Sequence, residues 1–236
     1  MTNYRLTRMT SAILQYRVDS GSNASFAIVN AGGIRATIDE GSITRGEVLT
    51  SFPFGNAVVE AQFIGNELWS ILEGIVSGVN TVNKKPVTSF LQVSKSIKVE
   101  YNPQQKIGER LVRVSVDGEG IDLDKIYTVV TIDFLAGGGD NFFEPIDNLV
   151  VLDTLDEVLV EYIKKKSPVD FELDGRIAVV DGSGSGSDNG DGGDNETDGG
   201  EGNGSRDDDD SAASTVTVIS GTMLLVWAAL VAVVAM

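Results

Sequence analysis

Apolar and polar residues alternate in short blocks along the first three quarters of the chain, and the blocks change period several times. Residues 26–30 form a continuous apolar run ending at Asn30, which predicts a short buried strand, and Ala31-Gly32-Gly33 then supplies a turn. Thr44 followed by Glu47 carries the spacing of a capping box and predicts a short helix. Residues 57–64 predict a strand that stops at Gly65-Asn66. Over residues 67–79 the period becomes helical, with Leu68, Ile71, Leu72, Ile75, Val76 and Val79 on one stripe. Strands are predicted over residues 90–93, 97–101, 111–116 and 127–132, with a turn at Asp117-Gly118. A second amphipathic helix is predicted over residues 154–166. Leu155, Val158, Leu159 and Tyr162 share its apolar face, and Lys164-Lys165-Lys166 suit the negative end of its dipole. Gly175-Arg176-Ile177 leads to a last strand over residues 178–180. Strands outnumber helices and several turns are of hairpin length. The expectation is an α+β domain of mixed, largely antiparallel sheets with helices on the outside.

Composition divides the 236 residues further. Residues 181–214 are mostly Gly, Ser, Asp, Asn and Glu, too polar to offset the entropy of ordering, and read as a disordered acidic linker. Residues 215–236 are almost wholly apolar. Eleven of the 35 acidic residues and one of the 18 basic ones, Arg206, lie between positions 181 and 210, so the folded part carries a net charge of only −7. With no basic stripe to neutralise a phosphate backbone, polymeric nucleic acid is excluded as the expected partner, whereas a single nucleotide needs only one or two arginines. The chain has neither histidine nor cysteine. That excludes disulfides, thiol chemistry, a Ser-His-Asp triad and zinc chemistry of the usual kind within it. No catalytic and no metal-ligating residue is therefore assigned, and no cofactor is expected in this chain.

The apolar tail and the sequons fit a secreted route, and the N-terminal residues conflict with it. The apolar tail follows Asn203-Gly204-Ser205 and a polar spacer, the pattern of a glycolipid (GPI) anchor signal with attachment at Asn203 or Gly204. A retained transmembrane helix is the alternative, since residues 216–236 are just long enough to span a bilayer. Sequons at Asn23, Asn195 and Asn203 are candidate glycosylation sites. Residues 1–8 hold no apolar stretch of secretory type, so cell-surface placement requires a signal upstream, and residues 1–10 are expected to be an atypical, truncated start. A calcium loop beginning at Asp194 fails, because Ser205 stands where the bidentate glutamate belongs.

Three segments carry candidate chemistry. Asn30-Ala31-Gly32-Gly33-Ile34-Arg35 joins glycines, which allow close backbone approach, to a planar guanidinium suited to an anion. Ser51-Phe52-Pro53-Phe54-Gly55 sets two aromatics beside a turn, either as core or as a platform for a flat ring. Asp133-Phe134-Leu135-Ala136-Gly137-Gly138-Gly139-Asp140 forms a glycine turn from which a carboxylate can face hydroxyls.

In this order the three segments resemble the C-terminal domain of the 5′-nucleotidase family, and the resemblance runs from about residue 11 to 180. The family includes ecto-5′-nucleotidases, UDP-sugar hydrolases and 2′,3′-cyclic phosphodiesterases. It implies a nucleotide or nucleoside ligand whose base stacks between Phe54 and Phe134, whose ribose hydroxyls meet Asp140, whose nucleoside contacts Asn30 and whose phosphate side approaches Arg35. It also implies a partner region, an N-terminal metallophosphatase domain with two divalent metal ions, which performs the hydrolysis. This chain would be the recognition half. Leu6-Thr7 stand where the family has Gly-Asn, and the family's further phosphate-binding arginine would fall before Met1. A parent acting on nucleoside monophosphates at the cell surface is expected. Parents acting on cyclic nucleotides or nucleotide sugars, a free-standing membrane-attached binding module, and a homodimer of the parent stay open.

Overall fold

The computed structural model describes residues 9–147, 149, 151–169 and 174–181. The linker and tail, with Asn195, Asn203 and Gly204, lie outside these residues. Among the described residues no helix is long and apolar enough to cross a membrane.

The elements in chain order are α1 (Met9–Asp19), β1 (Phe26–Asn30), α2 (Arg45–Ser51), β2 (Ala57–Ile64), α3 (Gly65–Ser77), β3 (Leu91–Val93), β4 (Ile97–Tyr101), β5 (Leu111–Val116), β6 (Glu119–Gly120), β7 (Ile126–Ile132), α4 (Asp133–Ala136), β8 (Val151–Thr154), α5 (Leu155–Lys166) and β9 (Ile177–Val179). Among the described residues two sheets result, one ordered β3-β1-β7-β2-β8 and the other β6-β5-β4-β9. Five of their pairings are antiparallel and two, β1 with β7 and β4 with β9, are parallel. The α+β class with mixed, largely antiparallel sheets is what the alternating pattern predicts.

Every residue of β1 is buried, as its place between β3 and β7 requires. The capping box of α2 forms as its spacing predicts: Thr44 Oγ1 accepts from the Glu47 amide at 3.3 Å, and the Glu47 carboxylate accepts from the Thr44 amide at 2.7 Å. Helix α1, absent from the pattern-based reading, packs on β1, β3 and β7 and against α5. Its apolar residues are spread around the axis rather than aligned on a stripe, so periodicity gave no signal. Helix α3 touches β2 of one sheet and β5 of the other. Its buried Glu73 accepts amide hydrogens from Leu111 at 2.7 Å and Arg110 at 3.1 Å and a hydroxyl hydrogen from Ser77, fastening the strand edge to the helix. On α1, Arg17 Nε donates to Glu60 at 2.8 Å, and the Ser22 hydroxyl donates to the same oxygen at 2.5 Å.

Register fixes where the loops meet. Phe26 pairs with Val129 and Ala27 with Val130 in parallel, so the end of β1 lies level with the end of β7. Val58 pairs with Ile132 antiparallel, which brings the start of β2 to the same end. Asn30 pairs with Leu91, which brings the residues leading into β3 there too. Four remote chain segments thus converge at one end of the larger sheet.

Candidate functional site

Asn30 is the last residue of β1 and only 5% exposed. Its Nδ2 donates to Asp140 Oδ2 at 2.6 Å, so the first and third sequence motifs are joined directly. With the amide donor spent on the carboxylate, the Asn30 Oδ1 oxygen turns toward Gly33, where a Cβ would come within 3.0 Å of it. A side chain at position 33 would press on that oxygen. Asp140 Oδ1 accepts from the Thr88 hydroxyl at 2.7 Å. Each carboxylate oxygen thus has one inward donor, and a carboxylate offers roughly four acceptor directions in all.

The backbone around Asp140 is unusual. Gly138 has φ 92°, and both Asp140 (φ 54°) and Asn141 (φ 56°) lie in the left-handed region. Asp and Asn tolerate that region better than other side chains, yet two in succession store strain of the kind that collects at ligand sites. Gly139 is required by proximity: a Cβ there would lie 2.5 Å from the Phe134 carbonyl oxygen and 2.6 Å from ring atoms Cε1 and Cζ. Phe134 sits on α4, directly after β7, and is 45% exposed.

The second motif divides. Phe52 is 5% exposed and belongs to the core, whereas Phe54 is 58% exposed. Phe52, Phe54, Asn30 and Ile132 line a small, narrow cleft. Phe134, Arg35 and Asp140 are not in its lining. Arg35 is exposed, donates from Nη1 to the Gly32 carbonyl at 3.2 Å, and sets its guanidinium carbon 5.7 Å from the Phe54 ring centroid. Its amide donates to the Ser51 carbonyl at 2.9 Å, tying the first motif to the second. Among the described residues it makes no salt bridge, so its charge faces outward uncompensated. Asn23 is exposed on the loop before β1.

Thr88 and Ser89 escape sequence reading. They precede β3, and their relevance depends on the pairing of β3 with β1, which no local pattern reveals. Among the described residues no group of three or more Asp or Glu side chains is arranged to hold a metal ion.

Two exposed phenylalanines, a carboxylate held by Asn30 and Thr88, and an exposed arginine thus stand on segments that meet at one end of the larger sheet. Comparison with known proteins identifies the family. The sequence profile of the family described as "5′-nucleotidase, C-terminal domain" matches residues 7–145, more than half of the chain. Apyrase of Tabanus yao is 32% identical over 167 residues, covering 66% of this chain and 30% of that protein. Protein UshA of Escherichia coli strain K12 is 34% identical over 168 residues, covering 70% and 28%. Human 5′-nucleotidase is 32% identical over 176 residues, covering 69% and 30%. Among solved structures, a 5′-nucleotidase precursor of Thermus thermophilus superposes with a TM-score of 0.63 at 34% identity, covering 75% of this chain and 35% of that one. The chain spans about a third of the length of the relatives it matches. By sequence and by fold alike, it belongs to the 5′-nucleotidase family, whose C-terminal domain it carries.

Proposed function

We propose that this domain recognises the nucleotide for a hydrolase that releases phosphate from nucleoside monophosphates at a cell surface. In this reading the base stacks between Phe54 and Phe134, the ribose hydroxyls meet Asp140, Asn30 holds that carboxylate in place, and Arg35 attracts the phosphate side. The observation that carries it is the Asn30–Asp140 hydrogen bond, which joins two motifs 110 positions apart, with two exposed phenylalanines and an uncompensated arginine on the adjoining segments. Exposed phenylalanines on the segments next to that carboxylate offer flat faces on which a base can stack.

In this reading the hydrolysis itself falls to a metallophosphatase domain with two divalent ions, as the family resemblance implies, and the lack of histidine in the chain accords with that. Residues 11–180 are the recognition domain, residues 181–214 a stalk and residues 215–236 the membrane attachment through a glycolipid anchor. The apolar run after the acidic linker supports that placement.

The test is nucleoside affinity. Phe54→Ala and Phe134→Ala should each weaken adenosine and AMP binding by about 1–3 kcal/mol, read by calorimetry. Each should cost less stability than the roughly 3–5 kcal/mol of a buried Phe→Ala change. Should the variants unfold while any folded remainder binds at full strength, both rings are core and the site is misassigned.

A further inference from the structure

The five residues that lead into β3, positions 86–90, touch both halves of the site and belong to none of its motifs. On one side the Thr88 hydroxyl donates to Asp140 Oδ1 at 2.7 Å, and the Thr88 amide donates to the Asp140 carbonyl at 3.2 Å. The side chain of Asn141 donates to the Pro86 carbonyl at 2.7 Å. On the other side Ser89 Oγ accepts from the Gly32 amide at 2.9 Å, and the Phe90 carbonyl accepts from the Ala31 amide at 2.8 Å. Five hydrogen bonds therefore run from one short strap to the two loops that carry Arg35 and Asp140.

We propose that Thr88 and Ser89 are positioning residues of the ligand site: Thr88 fixes the Asp140 carboxylate for a vicinal diol, and Ser89 fixes the turn that presents Arg35. The proposal rests on the nucleotide reading given above. Its chemistry follows from the count of acceptor directions. Asn30 occupies one direction on Oδ2 and Thr88 one on Oδ1, so each oxygen keeps acceptor capacity for a ligand. Two neighbouring hydroxyls can then be met by one oxygen each. Without the Thr88 donor the carboxylate is held at one oxygen only and can turn about its last bond, so the paired presentation is lost while the charge remains. The left-handed backbone at Asp140 and Asn141 makes the strap more consequential, because its bonds to Thr88 and Pro86 oppose relaxation of that strain.

The experiment uses the full 236-residue chain in detergent, with Thr88→Val, Thr88→Ser and Ser89→Ala variants. Affinity for adenosine and for 2′,3′-dideoxyadenosine is measured by calorimetry, folding by denaturant midpoint, and amide exchange at Gly32 and Asn141 by NMR. Thr88→Val should weaken adenosine about five- to tenfold, roughly the net worth of one ordinary hydrogen bond, because Asn30 still holds the carboxylate. Dideoxyadenosine binding should stay unchanged. Thr88→Ser, which keeps the donor, should restore adenosine binding. Ser89→Ala should speed exchange of the Gly32 amide, and Thr88→Val that of the Asn141 amide. Equal losses for both nucleosides would overturn the proposal, since they would mark a general structural effect, and so would no loss for either. If the unaltered chain binds neither nucleoside, the nucleotide reading fails and takes the diol role with it. If it binds both but amide exchange is the same in every variant, the strap has no positioning role and this inference alone falls.

Discussion

Replacing Gly139 by alanine would place a methyl group where Phe134 already stands. The new carbon would lie 2.6 Å from two ring carbons and 2.5 Å from the Phe134 carbonyl oxygen, all inside the closest approach that real Cβ atoms make. The ring can swing away, because it is half exposed, but the carbonyl belongs to α4, whose Asp133 carbonyl accepts from the Gly137 amide at 2.8 Å. Overpacking of this kind costs about 1–3 kcal/mol of stability. Displacing the ring removes one face of the proposed base clamp, worth about 1–3 kcal/mol, or a five- to 150-fold rise in Kd. Calorimetry with adenosine and a denaturant midpoint measure the two losses. In a Phe134→Ala background the same glycine change should lower affinity no further, because the ring is already gone. Its stability cost should shrink without vanishing, because the carbonyl contact persists. An unchanged affinity in the single variant, or an equal affinity loss in both backgrounds, would refute the reasoning.

Glu60 offers a pH test. Burial pushes its carboxyl up, but hydrogen bonds from Arg17 and Ser22 and the Arg17 charge outweigh that, and the net result is a value below the ordinary glutamate range. A lowered folded value stabilises fully above the unfolded value and is lost as pH falls through the folded one. Wild type and Glu60→Gln should therefore differ by about 1 kcal/mol near neutrality and converge well below pH ~4, as urea midpoints across pH would show. Glu73→Ala should cost about 3 kcal/mol, because it strands the amides of Arg110 and Leu111, and Glu73→Gln should cost about half as much, read by thermal unfolding. The purified chain should release no phosphate from AMP with any divalent metal, since it contains no histidine to complete a two-metal centre; metal-dependent release free of host enzyme would contradict this.

Local pattern carried most of the fold. Strand β2, helix α3 and the α2 capping box are written in period and spacing; β2 and the cap stand where the residues predict them, and α3 lies two residues earlier, at Gly65–Ser77, because Gly65-Asn66 open the helix and Gly78 ends it. Helix α1 was not legible, because Ala12, Ile13, Leu14, Tyr16 and Val18 surround its axis and only tertiary packing selects the buried side. The site divided along the same line. Asn30, Arg35, Phe54, Phe134 and Asp140 stand in motifs that can be read in one dimension. The contrast between buried Phe52 and exposed Phe54 cannot be, nor can the reach of Thr88 to Asp140 across 52 positions. Both depend on strand register, which long-range pairing alone decides.

The order β3-β1-β7-β2-β8 also bears on how the chain comes off the ribosome. Strands β1 and β2 are made early, yet they never pair with each other, because the slot between them belongs to β7. About 70 residues separate the end of β2 from the end of β7. At roughly 5–20 residues per second, synthesis of that stretch takes about 3–14 s. Throughout that interval two apolar strands wait with open edges, and no ligand pocket can exist. Nascent chains stalled before residue 126 should accordingly be clients of holding chaperones and blind to nucleoside, and both properties should switch together when the last central strand emerges.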